Sequence, residues 1–177
     1  MKIFQNFLSK NKLNIIRSIL EDDRFPYYYQ DDIAFKNSKN KSNNCDFFFA
    51  HALFKEEIPT SGDKIIESVL YPITDKLNCK KIIRAKVNLY TNQHKHVKSE
   101  FHVDTDDSNV KVAIFSLGTN NGYTEFKTGE KVLSKDNCLL SFSAKDRHRA
   151  VTQTDTKRRI NININYGNET QVSKYIG

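Results

Sequence analysis

Arg158-Arg159-Ile160-Asn161-Ile162-Asn163-Ile164-Asn165-Tyr166 switches from polar to apolar with almost every residue. A period of two is the pattern of a β-strand, whose successive side chains point to opposite faces. Arg159, Asn161, Asn163 and Asn165 therefore share one face, and Arg158 shares the other with Ile160, Ile162 and Ile164. The isoleucine face requires an apolar layer, which helices can supply. The arginine–asparagine face suits a polar cavity that holds a ligand. The run reads as the last strand of a sheet with helices on one side and a site on the other.

Upstream of it the texture is strand-like back to Lys81. Ile82–Tyr90 alternates around Arg84, Lys86 and Asn88, and Val110–Leu117 is a clear strand. Asn121-Gly122 reads as a hairpin turn that pairs Tyr123–Phe126 back on its predecessor, and Thr128-Gly129 as a second turn before Lys131–Leu133. Glu100–Asp104, Cys138–Phe142 and His148–Thr152 complete the set. Many short strands joined this way predict a mixed, β-rich jelly roll.

The first half reads as helical, over about residues 1–80. Leu13, Ile16 and Leu20 recur at helical spacing, with Asn11 as the expected cap. A second helix is expected from Asp63, with Ile65, Ile66, Val69, Leu70, Ile73 and Leu77 on its apolar face and Pro72 kinking or splitting it. These helices are expected on the outer face of the jelly-roll core, about 81–167, within a single domain spanning 1–177. The polar tract from Lys36 to Asn44 has little to bury and reads as a surface excursion.

The 177 residues are enough for one self-sufficient core. With 28 Lys and Arg against 21 Asp and Glu the chain carries +7, but the surplus is scattered, as on a solvated surface. Cys45, Cys79 and Cys138 are odd in number and show no CxxC spacing, so they read as free thiols in a reducing compartment. No leader-like core or bilayer-length apolar run occurs, which predicts an intracellular, cytoplasmic protein with no membrane partner.

His102-Val103-Asp104 places an imidazole and a carboxylate on one strand face, and His148 follows 44 positions after Asp104 (148 − 104). Two imidazoles and one carboxylate with open positions form the facial triad that suits Fe(II). A nearby arginine could grip a carboxylate co-substrate with two charge-assisted bonds. The pair His94 and His96 reads as loop histidines, and His51 as a core or rim histidine with its bonding satisfied.

With these residues in place the chain resembles the Fe(II)/2-oxoglutarate dioxygenases, in particular the prolyl 4-hydroxylase-like branch and its compact phage and microbial members. The resemblance covers roughly Ile82 to Tyr166 and rests on His102-Val103-Asp104, Asn121-Gly122-Tyr123-Thr124-Glu125-Phe126, His148 and the run from Arg158 to Asn163. It implies a double-stranded β-helix in which His102, Asp104 and His148 bind Fe(II). It also implies 2-oxoglutarate and O2 as co-substrates, with an arginine on the far carboxylate, and a hydroxylase of an unactivated C–H bond. By face, Arg159 is favoured for that arginine and Arg158 is left at the rim. Family pattern adds Tyr90 and Thr124 as 2-oxoglutarate contacts. The chain departs from the pattern with Asn121-Gly122 in place of Gly-Gly, and with Phe115 in a strand where some members carry a tyrosine.

By likeness the substrate is a peptidyl proline or another protein side chain, with a small molecule also open. A nucleic-acid oxygenase is a second possibility, argued against by the missing second arginine after Asn165 and the 11-residue step from His148 to Arg159 (159 − 148). A non-catalytic jelly-roll binding module, or a zinc or manganese cupin, are further alternatives. The module would give no reason for two histidines, an aspartate and an arginine to converge.

Overall fold

A computed structural model of the protein describes residues 1–31 and 47–167. The tract from Lys36 to Asn44 and Cys45 lie outside the described residues. Eleven strands form two sheets. They are β1 (Lys2–Phe4), β2 (Tyr28–Gln30), β3 (Phe48–Lys55), β4 (Ile58–Pro59), β5 (Lys81–Thr91), β6 (Val110–Leu117), β7 (Tyr123–Phe126), β8 (Lys131–Leu133), β9 (Cys138–Ser143), β10 (His148–Val151) and β11 (Arg158–Gly167). The large sheet runs β1-β9-β6-β11-β5-β3-β2, with β4 paired to β3, and the small sheet runs β10-β7-β8.

The alternating run is β11, and it lies between β5 and β6, the most interior place in the large sheet. Its isoleucine face packs outward. Ile160, Ile162 and Ile164 join Ala85, Val87, Phe115 and Leu139 beneath Leu13, Ile16, Leu20, Val69, Leu70 and Ile73 of the helices. Burying each isoleucine contributes about 1.5–3 kcal/mol, which ties the helical layer to this strand. A second cluster fills the space between the sheets, with Val112, Ile114, Leu140 and Phe142 against Phe126. This two-sheet arrangement is the expected jelly roll.

The first 80 residues are not simply helical. They supply β1, β2, β3 and β4, and β3 pairs directly with β5. The run Phe47–Phe54 is apolar but for His51, because β3 is covered on both faces along part of its length, which hides the period of two. Helix α1 (Lys10–Leu20) is capped by Ser9, whose Oγ lies 3.5 Å from the Lys12 N–H, so Asn11 falls inside the helix. The second helix is split, as Pro72 predicts. It runs as α2 (Asp63–Ile65), a π-helical turn (Ile66–Leu70) and α3 (Tyr71–Lys76), with Pro72 in the first turn of α3, where no backbone donor is needed.

Asn121-Gly122 is not a hairpin turn. β6 belongs to the large sheet and β7 to the small one, so the segment crosses between sheets. Asn121 is held by Asp155 and Thr154, and the Asn120 Oδ1 accepts from the Gly122 N–H. Glycine is required there by close approach, not by turn geometry. Thr128-Gly129 does turn a hairpin between β7 and β8, with Gly129 at φ +97°. Glu100–Asp104 makes only a single bridge, His102 to His148, in place of the expected strand. Among the described residues no helix is long and apolar enough to cross a membrane.

Candidate metal and co-substrate site

His148 opens β10, and His102 lies opposite it. The two residues exchange backbone hydrogen bonds of 3.0 Å in both directions, which sets their rings 4.6 Å apart. Asp104 is anchored two residues on by its N–H to the Ala144 carbonyl at 3.0 Å. One ligand atom from each of His102, Asp104 and His148 lies within 4.8 Å of the others. This single bridge does what the expected strand would have done, because it keeps His102 and Asp104 pointing into the same space.

The partners of these side chains settle which atoms are offered. The His148 Nδ1 is 2.8 Å from the Asp146 carbonyl and the His102 Nδ1 is 3.2 Å from the Glu100 carbonyl. A carbonyl only accepts, so each Nδ1 carries the proton and each Nε2 is left as the basic atom. The His102 Nε2 faces the Asp104 Oδ1 at 3.5 Å. The Asp104 Oδ2 accepts from the Asn165 amide at 2.8 Å and lies 3.4 Å from Arg84. Its other oxygen is thereby turned toward the two imidazoles.

Electrostatics keep the set ready for a cation. Burial by itself would raise the Asp104 carboxyl, yet the His102 contact, the charges of Arg84 and His148 and the Asn165 bond outweigh it. The group is held well below the usual carboxylate range, with its side chain 1 % exposed. Burial pushes the His148 pKa down, against the opposing pull of the Asp146 carbonyl and the Asp104 carboxylate. A neutral imidazole and an ionised carboxylate are the forms that ligate metal.

β5 and β11 carry the rest of the cavity. Their register places Tyr90 opposite Arg159, Asn88 opposite Asn161, Lys86 opposite Asn163 and Arg84 opposite Asn165. Lys86, Asn88, Tyr90, Arg159, Asn161 and Asn163 line a cavity of about 40 Å³ together with His102, Ile114, Thr124, His148 and Ala150. A second cavity of about 240 Å³ meets it at Ile114, Thr124 and Arg159 and continues between β6, β8 and β9.

Arg159 is 2 % exposed, and its guanidinium lies 5.3 Å from the Tyr90 ring. Its Nη1 donates to the Val151 carbonyl at 2.9 Å, and its Nε has no partner among the described residues. Burial works against its charge, with no carboxylate nearby to offset the cost. Arg158 points the other way, 49 % exposed and 3.4 Å from Glu21. The face reading thus places Arg159 at the cavity and Arg158 at the surface.

Tyr90 is buried against Phe48, and Thr124 is buried beside Arg159. Phe115 faces the helical layer, and its neighbour Ile114 lines the cavity in its place. His51 is satisfied by the Pro26 carbonyl and the Ser61 hydroxyl, and His96 by the Thr152 carbonyl. Arg84, Lys86 and Gly122 were not singled out as site residues. The first two share the period-two face of Tyr90, which is the signal that could have found them. Nothing local marks Gly122, whose importance comes from contacts distant in sequence.

No model of a known protein family matches the chain, and no curated protein matches it. Solved structures do. An oxidoreductase of the 2OG-Fe(II) oxygenase family from Burkholderia pseudomallei superposes with a TM-score of 0.65 at 10 % identity, over 95 % of this chain and 85 % of that one. The chain has the fold of these oxygenases. A Trichoplax adhaerens prolyl hydroxylase, in complex with a peptide fragment of the hypoxia inducible factor oxygen degradation domain, gives 0.63 at 13 % identity, covering 94 % and 83 %. A Pseudomonas putida prolyl-4-hydroxylase gives 0.58 at 11 % identity, covering 95 % and 92 %. The oxygenase fold accounts for both sheets and for the strands contributed by the first half.

Proposed function

We propose that the protein is an Fe(II)- and 2-oxoglutarate-dependent hydroxylase acting on an unactivated C–H bond. One observation carries this reading. Ligand atoms of two histidines and an aspartate converge within 4.8 Å, and both histidines line one cavity with a buried arginine that has no carboxylate partner among the described residues. The donor set fits the metal. Each imidazole has its Nδ1–H held and its Nε2 turned inward, and two nitrogens with one oxygen leave positions open for a co-substrate.

His102, Asp104 and His148 would hold the iron, and Arg159 would take the far carboxylate of 2-oxoglutarate in a charge-assisted pair. Thr124 and Tyr90 flank that arginine, the first with a hydroxyl and the second with a ring that supports the cation. Bound iron and 2-oxoglutarate would supply the oxidising chemistry: 2-oxoglutarate, O2 and R–H become succinate, CO2 and R–OH, one oxygen atom entering succinate and the other the new hydroxyl. The protein's own part is placement and dryness. Ile114 and Ala150 exclude water from the cavity wall, and Asn165 with Arg84 keeps Asp104 aimed.

A groove of about 670 Å³ reaches Asp104, Arg84 and Asn165 from the surface and is the natural approach for a substrate. Likeness to a prolyl hydroxylase solved with a peptide supports a protein side chain as that substrate. The test is succinate release from Fe(II) and 2-oxoglutarate, run beside metal titration of the wild type, His102→Ala and Asp104→Ala. Loss of metal binding in both variants supports the ligand set, and undiminished affinity in either refutes it.

A further inference from the structure

The site holds a second cation besides the one assigned to the far carboxylate of 2-oxoglutarate. Lys86 lies two positions before Asn88 on β5, on the face that carries Tyr90, and lines the same cavity as His102 and His148. It is half-buried, and its ammonium sits 5.0 Å from the Phe48 ring. Among the described residues no carboxylate pairs with it. Arg84, its neighbour on that face, is by contrast engaged by Asp104 and Asn165. Directly across the strand pair stands Asn163, whose buried Oδ1 accepts no hydrogen bond among the described residues.

An ammonium enclosed this way is costly. Burial, followed by the charge of Arg84, brings its pKa down to about 8, against a smaller opposing pull from Asp104. A lysine that served only to cover apolar surface would run its stem along the wall and keep its head in water. Here the head lies over the Phe48 ring and the residue lines the cavity of His102 and His148, where an anion could reach it. Arg159 would take the far carboxylate of 2-oxoglutarate and the metal its keto-acid end, which leaves Lys86 for the carboxylate of another molecule.

We infer that Lys86 reads a carboxylate on the substrate, so that the molecule oxidised is an acidic one, not a neutral prolyl ring. This rests on the proposed oxygenase reading and names the substrate chemistry of that site. In protein-borne form the group would be a glutamyl or aspartyl side chain, and in free form a small carboxylic acid. The ammonium holds that group near the metal ligands and leaves a neighbouring C–H bond to face them.

The experiment uses the full chain with Mn(II) in place of Fe(II) and N-oxalylglycine in place of 2-oxoglutarate. Mn(II) broadens the proton signals of any probe held nearby, so binding is read without turnover. The probes are acetyl-Ala-Glu-Ala-amide, the matching Gln and Pro peptides, and free L-glutamate. In the wild type at least one glutamate probe is expected to bind about tenfold more tightly than the Gln and Pro peptides. Whether the peptide or the free acid does so decides the source. Lys86→Met loses that preference, and Lys86→Arg retains it.

Binding of both glutamate probes no tighter than that of the Gln and Pro peptides overturns the inference, as does an unchanged preference in Lys86→Met. A Lys86→Met protein that no longer holds N-oxalylglycine also overturns it, since Lys86 would then serve the co-substrate. Mn(II) binding is measured first, by electron paramagnetic resonance. Failure at that step sinks the oxygenase reading itself, whereas Mn(II) binding without a carboxylate preference sinks only the role of Lys86.

Discussion

Gly122→Ala should damage co-substrate binding from a position that touches no ligand. Its backbone is outside the left-handed region, so alanine faces no φ penalty, and the effect is steric. A methyl group there would lie 2.9 Å from the Asn120 Oδ1, 3.0 Å from the Arg159 Cδ and 3.1 Å from the Gln153 backbone nitrogen. Carbon contacts are comfortable at about 3.5–4.0 Å, so the neighbours must give by a few tenths of an ångström, about 0.5 Å for the Arg159 Cδ. Asn120 is tethered through its N–H to the Ser134 carbonyl, and the Gln153 nitrogen is main chain. Arg159 is therefore the group that gives, although its Nη1 is fixed to the Val151 carbonyl. Overpacking of this kind costs about 1–3 kcal/mol. In a domain of this size that lowers the melting temperature by about 2–12 °C. A guanidinium displaced by a fraction of an ångström should weaken 2-oxoglutarate binding roughly tenfold or more. Calorimetric titration of the Mn(II)-loaded protein reads the affinity, and a thermal melt reads the stability. Gly129→Ala is the control. It is strained by its φ of +97° but has nothing within 4 Å of the added carbon, so it should lose stability and keep its affinity. Unchanged affinity in Gly122→Ala would refute the idea that this close approach sets Arg159.

Arg159→Met should abolish stabilisation by 2-oxoglutarate in a thermal melt, while the ligand-free variant melts at or above the wild-type temperature, because a buried cation with no carboxylate partner among the described residues is removed; a much less stable ligand-free variant would contradict this. Wild type should gain about 2.7 kcal/mol at a hundredfold excess of ligand over its Kd. Arg158→Ala breaks only a half-exposed pair with Glu21 and should leave 2-oxoglutarate affinity and melting temperature nearly unchanged; a large loss of affinity would exchange the roles of the two arginines. The metal-free protein should lose stability on acidification in two windows, read by denaturant titration against pH. The folded His148 pKa lies below the ordinary value of 6.5, so its contribution is complete above that value and fades as pH falls beneath it. The folded Asp104 pKa lies below its ordinary 3.8, so its contribution persists to more acid pH and is lost as pH falls further. Stability that stayed flat from pH 7 to pH 4 would contradict the direction assigned to His148.

What could be read from the chain alone was whatever a period of two reports. Ile160, Ile162 and Ile164 against Asn161, Asn163 and Asn165 gave both the strand and the assignment of faces, and the same count separated Arg159 from Arg158. The period fails where both faces are buried, which is why no alternation marks β3 as a strand within the half that reads as helical. It also fails where the chain leaves the sheet, which is why the His102–Asp104 segment passed for a strand. Asn121-Gly122 shows a different limit. Its composition matches a tight hairpin turn, but the pairing of β7 is decided by β8 and β10, and no local feature reports those partners. The cluster of His102, Asp104 and His148 was legible because two imidazoles and a carboxylate in such a pattern are rare. Lys86 and Arg84 were obscure because basic residues are common on strands, and only tertiary packing separates an enclosed ammonium from a solvated one.

The distribution of unmet bonding is the strongest physical argument that this cavity is built for an occupant. Buried polar atoms without partners each cost about 1–3 kcal/mol, against a folding free energy of only about 5–15 kcal/mol. Among the described residues five side-chain atoms are left in this state: the Asn88 Oδ1, the Ser134 Oγ, the Gln153 Oε1, the Arg159 Nε and the Asn163 Oδ1. They are not scattered. Asn88, Arg159 and Asn163 line the smaller cavity, Ser134 lines the larger one that meets it at Arg159, and Gln153 abuts Gly122 beside the same arginine. A fold that merely tolerated imperfect packing would leave such atoms wherever strands happen to meet. They gather around one guanidinium, in and beside the cavity that His102 and His148 line, where the Arg159 Nε–H and the Ser134 hydroxyl can donate to an anionic ligand while the three amide oxygens accept and call for donors such as water. Binding and folding are then coupled through Arg159, and a co-substrate that raises the melting temperature of the wild type but not of Arg159→Met is the thermodynamic form of that coupling.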